Sequence, residues 1–273
     1  MAIVAHPDDE SLGFGGALAR YAAEGYETSL VTATRGQGGR YFGHPPGHPE
    51  HPGRAALASQ REEELKAAAA ELGVRHQILL DYEDAQLDRA DVDRVVGDLV
   101  REIRRLRPEV VLTFAPDGAY GHPDHIAISQ FTAAAVVAAA YADYGAPGRL
   151  VEPPHVVSKL YYLAWTAAEW AAYQAAFKTL VVTVDGTVRQ AVPWQDWSLT
   201  TVVDTTAWWP IVWRAVQRHQ SQIGAYAVLA TLEAEQHRAL WGRQSFYRVF
   251  SLVNGGRRQE TDLFEGLDAR VTP

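Results

Sequence analysis

The chain has 273 residues, 47% of them hydrophobic and 21% charged, with a formal charge of −8 and no cysteine. That length supports a sizeable core in one large domain or two small ones, and the balance of apolar and charged residues excludes a disordered chain. The acidic total argues against a nucleic-acid or anionic-membrane binder, and the missing cysteines exclude disulfides, thiolate metal sites and a cysteine nucleophile.

Met1 to Ala5 reads as a buried strand, and residues 10 to 24 as an alanine-rich helix that opens on glycines. "YETSLVTATRG" gives a second strand, residues 59 to 72 a helix, and "RHQILLDY" a third strand. Residues 91 to 106 carry the clearest helix, with Val92, Val95, Val96, Leu99, Ile103 and Leu106 at helical spacing. Its arginine cluster, Arg101 to Arg107, is expected on the wet face. Pro108 stops that helix, "EVVLTFAP" is a fourth strand, and a helix follows from Pro123 to Ala140. Beyond it, "HVVSKLYYLAW", "TLVVTVD" and "SFYRVFSLV" read as strands, with helices over 205–222 and 227–241. The tryptophan-rich stretch 165–213 suggests a wall packed on the core.

Alternating strands and helices predict parallel strands covered on both faces. The expected fold is α/β, a Rossmann-like, doubly wound, mainly parallel sheet with a C-terminal α+β elaboration. One domain is expected over 1–273, with 1–150 as the parallel core and 151–273 as the elaboration. No segment reads as a signal peptide or a membrane span, so the default expected location is cytoplasmic.

Two tetrads concentrate the chemistry. "HPDD", His6 to Asp9, follows the first strand, and "HPDH", His122 to His125, follows the fourth. Proline in second place suits the first turn of a helix, where residues three apart share a face. In the common strand order 3-2-1-4-5, strands one and four are neighbours and ligands bind where the order reverses. His6, Asp8, Asp9, His122, Asp124 and His125 are therefore expected at one crevice. Two histidines and a carboxylate are what a hydrolytic zinc site needs, with groups to spare for acid–base work.

"AHPDDE" followed far downstream by "HPDH" resembles the LmbE-like (PIG-L) family of zinc-dependent N-deacetylases, which remove acetyl from N-acetylglucosamine conjugates. The likeness continues through "TATRGQGG", "QREEELKAAAAELGV", "DYEDAQLD" and "HQSQ". It implies that His6, Asp9 and His125 hold Zn2+ (Fe2+ or another divalent ion as alternatives) and that Asp8 is the general base. It also implies that His122 stabilises charge or donates a proton, that Tyr120 helps bind the oxyanion, and that Arg61, Asp84 and His219 meet the substrate. From its residue context alone, His219 reads equally well as structural. Gln37 departs from the family, many of whose members carry an acidic residue there.

The expected partner is a small amino-sugar conjugate, with neither nucleic acid nor membrane span; the oligomeric state is open. An amidase acting on another amide, such as a mycothiol S-conjugate, and a non-catalytic metal or glycoside binder are the alternatives. "GFGG", Gly13 to Gly16, lacks the dinucleotide-binding spacing and is expected to allow close helix–sheet packing. The long loop from Gly36 to Gly53, with His44, His48 and His51, is expected to be a rim rather than a second metal site.

Overall fold

A computed structural model describes residues 1–144, 152–177, 181–222, 224, 227–256 and 258–267. Strand β1 (Ala2–Val4) is three residues long and entirely buried. Its apolar side chains, each worth about 1.5–3 kcal/mol when fully buried for the larger ones, place it in the middle of the sheet. There it pairs in parallel with β2 (Ser29–Thr34) and β4 (Val110–Phe114). Strand β3 (His76–Tyr82) adds outside β2, and β5 (Lys159–Leu163) outside β4, all parallel. The order 3-2-1-4-5 is the one expected, and the sheet is mainly parallel with helices packed against it.

The sheet does not end at β5. Strand β9 (Arg243–Ser251) pairs antiparallel with β5, and β8 (Thr201–Asp204) antiparallel with β9, to give seven strands in the order β3-β2-β1-β4-β5-β9-β8. The expected strand at 179–185 appears as β6 (Val181–Val184), with Thr179 and Leu180 outside the described residues. It forms a separate hairpin with β7 (Thr187–Gln190) rather than joining the sheet. The expected division near residue 150 also lies outside the described residues.

Helix α1 (Asp9–Ala23) follows β1, and its glycines bring it close to its neighbours. A Cβ at Gly16 would stand 2.8 Å from Thr205, at the end of β8, so an alanine there would collide. Helix α2 (Arg54–Glu71) begins five residues before the expected Ser59, because "RAALA" continues the helix-favouring composition back to Gly53. Helix α3 (Val92–Leu106) is capped by Asp91, whose carboxylate accepts the Arg94 N–H at 2.9 Å. Arg101 and Arg105 of α3 are exposed, whereas Arg104 is buried, donating to the carbonyls of Ala139 and Tyr141. A broken turn, α4 (Gly118–Gly121), precedes α5 (Pro123–Ala139). In the C-terminal part come α6 (Ala167–Phe177), α7 (Trp209–Arg218) and α8 (Ala234–Trp241). Helix α7 ends earlier than the expected 222, and α8 covers only the second half of the expected 227–241. Among the described residues no helix is long and apolar enough to cross a membrane.

Candidate active site

Both tetrads leave the sheet at the carboxyl ends of adjacent strands and turn into helices. The first tetrad begins α1 and the second begins α5, with Pro123 in the first turn and His122 as the cap. The imidazole Nδ1 of His6 lies 3.2 Å from Nε2 of His125 and 3.5 Å from Oδ2 of Asp9, while Asp9 Oδ1 lies 3.2 Å from His125 Nε2. The expected metal triad is therefore one cluster, assembled across 119 residues of sequence.

These spacings suit a cation. A tetrahedral ion with bonds of about 2.0–2.1 Å holds its ligand atoms about 3.3 Å apart. The opposite nitrogen of His6 faces carboxylates, 3.1 Å from Asp124 Oδ2 and 3.2 Å from Asp84 Oδ1. A metal-binding histidine usually donates its second N–H to such a group, which fixes the tautomer and strengthens the ligand. Asp124 is fixed in turn by the N–H groups of Ala85 (2.7 Å) and Leu87 (3.1 Å), and Asp84 by that of Gly38 (2.7 Å). His125 is held by stacking on Phe114, with ring centres 4.0 Å apart and planes within 5°.

The charges reinforce this arrangement. Burial disfavours charge on His6, but Asp124, Asp84 and Asp9 outweigh it and raise the imidazole well above its usual value. Burial would raise the Asp9 carboxyl, yet His125 and His6 hold it well below the carboxylate range. A cation at this cluster is favoured from both sides.

The rings of His6, His122 and His125 also approach one another, with one nitrogen each inside 4.8 Å. His122 is nevertheless a poor ligand. Its Nδ1 accepts the Asp124 N–H at 3.2 Å, so in the neutral ring Nε2 carries the proton. Burial, helped by His6 and His125, lowers His122 to about 3, leaving a neutral N–H donor. Tyr120 stands beside it. The turn before the second tetrad is twisted, with φ 65° at Ala119, and Asp117 holds it by accepting the Ala119 N–H at 3.0 Å. Burial pushes the Tyr120 hydroxyl upward, so it too is a donor.

Asp8 caps α1 with φ at 110°, a backbone conformation rare for any residue but glycine. Arg61 reaches its Oδ2 at 3.1 Å and also donates to the carbonyls of Pro7 and Gly36. Gly36 has φ +63°, and a Cβ there would collide with the Arg61 guanidinium, so glycine is required on both counts.

His6, Asp8, Asp9, Arg61, Asp84, Tyr120, His122 and His125 all line one cavity of about 670 Å³. One wall is apolar, with Leu12, Trp165 and Tyr173; Trp165 stacks on Tyr173 at 4.4 Å. The other is polar and comes from the loop after β2, with Gly38, Gly39 and Arg40. That loop is the expected rim, and its histidines fasten its own turns. His48 and His51 accept the N–H groups of Glu50 (3.2 Å) and Gly53 (3.1 Å), and His44 lies 3.0 Å from Glu50.

His219 is placed differently from the expectation of a substrate contact. It is fully buried outside the cavity wall, with Nε2 2.7 Å from Glu10 Oε1. The reason is local: α7 ends against the first turn of α1, and the imidazole meets a buried carboxylate before it could reach the cavity. Gln37 likewise turns away from the cavity, towards Glu83 and the Tyr82 carbonyl. Glu10 was not singled out from the sequence; the only available sign was a third acidic residue in "DDE".

Residues 1–136 match the family model described as "PIG-L: GlcNAc-PI de-N-acetylase". A relative from Streptomyces griseus, named 1D-myo-inositol 2-acetamido-2-deoxy-alpha-D-glucopyranoside deacetylase, is 32% identical over 96% of this chain and 87% of its own length. The chain belongs to the PIG-L family. A relative of the same name from Rhodococcus jostii is 34% identical over 96% of both chains. Among solved structures, the conserved protein TT1542 from Thermus thermophilus superposes with a TM-score of 0.63 at 27% identity, over 93% of this chain and 96% of that one. PIG-L membership and the LmbE-like fold thus agree with the resemblance carried by the two tetrads.

Proposed function

We propose that this PIG-L protein is a hydrolase that removes acetyl from an N-acetylated amino-sugar conjugate of the N-acetylglucosamine type, using a divalent metal, Zn2+ by preference with Fe2+ as the alternative. The observation that carries the reading is the meeting of His6, Asp9 and His125 within 3.5 Å, with Asp8 facing the same cavity but outside that triad. The names of the relatives support the substrate class.

His6, Asp9 and His125 would hold the metal, which when bound polarises the amide carbonyl and lowers the pKa of the attacking water towards neutrality. Asp8, kept in place by Arg61, takes the proton of that water as it adds to the carbonyl carbon. The neutral His122 Nε2–H and the Tyr120 hydroxyl donate to the oxygen as it gains charge. A ring that titrates at about 3 is not protonated at neutral pH, so His122 serves as a hydrogen-bond donor. The proton held by Asp8 then passes to the amine nitrogen as the C–N bond breaks, giving acetate and the free amino sugar. Trp165 and Tyr173 offer a flat apolar face for a sugar ring, and Arg40, Arg61, Asp84 and the backbone of Gly38 and Gly39 offer polar partners for its hydroxyls.

The test is acetate release from N-acetylglucosamine linked to inositol, malate, lipid, glycopeptide and oligosaccharide. Two variants separate binding from chemistry. Asp9→Ala should lose metal and activity together. Asp8→Asn should keep its metal and lose about 10²-fold or more in kcat, the scale of a missing general base. Metal retained by a protein that releases no acetate from any member of the panel would favour the non-catalytic binder instead. Release of a mercapturic acid from a mycothiol S-conjugate would favour the other amidase.

A further inference from the structure

The mechanism uses nothing behind the first turn of α1, yet a carboxylate and an imidazole lie there with no exposure to solvent. Glu10 Oε1 receives His219 Nε2 at 2.7 Å and the Ser11 hydroxyl at 2.6 Å. Its second oxygen, Oε2, accepts the backbone N–H of Asp8 at 2.9 Å. A buried pair of this kind is a weak source of stability, because desolvation offsets much of the attraction.

Asp8 shows what the pair does. Its φ of 110° is a conformation that persists only when surrounding contacts over-determine it. Arg61 grips the Asp8 carboxylate and the Pro7 carbonyl, and Glu10 grips the Asp8 N–H. Glu10 is thus the acceptor that ties the peptide of Asp8 back to the helix it caps. We propose that Glu10 and His219 are a positioning pair for Asp8: His219 and Ser11 orient the Glu10 carboxylate so that its second oxygen locks the turn carrying the general base. The proposal rests on the reading of Asp8 as that base.

The turn containing His219 also reaches the rim. Ser221 binds Glu64 of α2 through its N–H and hydroxyl, both at 2.7 Å, and its carbonyl accepts the Phe42 N–H at 2.7 Å. Gln222 donates to the Arg40 carbonyl at 2.8 Å. Four consecutive residues of the C-terminal part therefore hold the base at one end and the rim loop at the other.

The two ends should have opposite kinetic signatures on whichever substrate of the panel is turned over. His219→Ala should lower kcat about tenfold or more, leave KM within about threefold and keep full metal content, since the base acts mainly in the transition state. His219→Gln, which can still donate to Glu10, should recover most of the loss. Gln222→Ala should raise KM with little loss of kcat. In the Asp8→Asn background His219→Ala should cost nothing further, because both changes act through one group. If His219→Ala does not fold, Ser11→Ala removes a smaller part of the clamp and should lower kcat about threefold.

Wild-type kcat in His219→Ala and Ser11→Ala, or full additivity with Asp8→Asn, would overturn the proposal while leaving the base assignment intact. Wild-type turnover in Asp8→Asn itself would instead remove the base assignment on which it rests.

Discussion

Two buried charge clusters sit at opposite ends of the same sheet. At the amino end of β5, Lys159 lies 2.8 Å from Glu260 Oε1, Arg248 lies 2.8 Å from the same oxygen, and Asn254 donates to it at 2.6 Å. The other oxygen accepts from Tyr161 at 2.7 Å and Thr201 at 2.6 Å. Two cations surround one carboxylate, both of its oxygens are satisfied, and the cluster fastens Asn254, Glu260, Leu263 and Glu265 to β5. At the carboxyl end, Asp9, Asp84 and Asp124 surround two imidazoles within 3.5 Å. The three carboxylates outnumber the two imidazoles, and the nearest guanidinium, Arg61, is engaged with Asp8 and the Pro7 and Gly36 carbonyls. The first cluster is closed on itself. The second is short of positive charge in the one place where the tetrads point, which is where a cation fits.

That contrast can be broken at either end. The largest effect expected is on the closed cluster: Glu260→Ala leaves Lys159 without its carboxylate and should cost about 3–5 kcal/mol of stability, measured by denaturant unfolding, with metal content and kcat retained. Its acid limb follows from the same contacts. Burial opposes ionisation of Glu260, but Lys159, Thr201, Tyr161 and Asn254 lower it from 4.5 to about 2. A carboxyl lowered on folding stabilises above its unfolded value, so this contribution should be present above pH 4.5 and lost as pH falls towards 2. Loss of activity or metal in Glu260→Ala would show that the two ends are not independent.

Next in size is the metal itself. Raising a divalent ion from zero to 100–1,000 times its Kd should stabilise the protein by about 3–4 kcal/mol. The increment should be the same in Glu260→Ala, since sites far apart with no shared partner add. An ion that leaves the unfolding midpoint unmoved would contradict the open-cluster reading. The smallest change expected is Asp124→Asn, which removes the charge behind His6 and keeps an oxygen for only one of the two N–H groups, that of Ala85 on Oδ2 or that of Leu87 on Oδ1. Chelator competition should show metal affinity about 10–100-fold weaker, with a loss of stability of about 1–3 kcal/mol for the N–H left without its acceptor. Unchanged affinity would mean that Asp124 merely caps its turn.

The open cluster was the more legible of the two. His6, Asp9, His122 and His125 stand at fixed spacing in two short segments, and parallel topology alone brings strands one and four together. The alternation of apolar runs likewise exposes the first five strands and their order. What escaped detection depends on partners far away in the chain. Helix α6, "AAEWAAYQAAF", is apolar around much of its circumference, so helical periodicity is hidden. Strand β8 is four residues long, and its place at the sheet edge is set by pairing with β9. Lys159 and Glu260 lie 101 residues apart, and no local pattern links them. His219 was expected at the cavity only because the family resemblance implies it; its residue context left a structural role equally open, and its burial goes with Glu10, 209 positions away.

The backbone of Asp8 has a consequence for how this protein can be improved. A left-handed φ at a non-glycine residue costs on the order of 1–3 kcal/mol, a substantial share of what keeps any domain folded. Glycine would adopt φ 110° without strain, so a screen rewarding only heat resistance should be drawn to this position. It would discard there the side chain that takes the proton. Selection for turnover and selection for durability pull on this residue in opposite directions, and an aspartate held at a glycine's angle records which of them has prevailed.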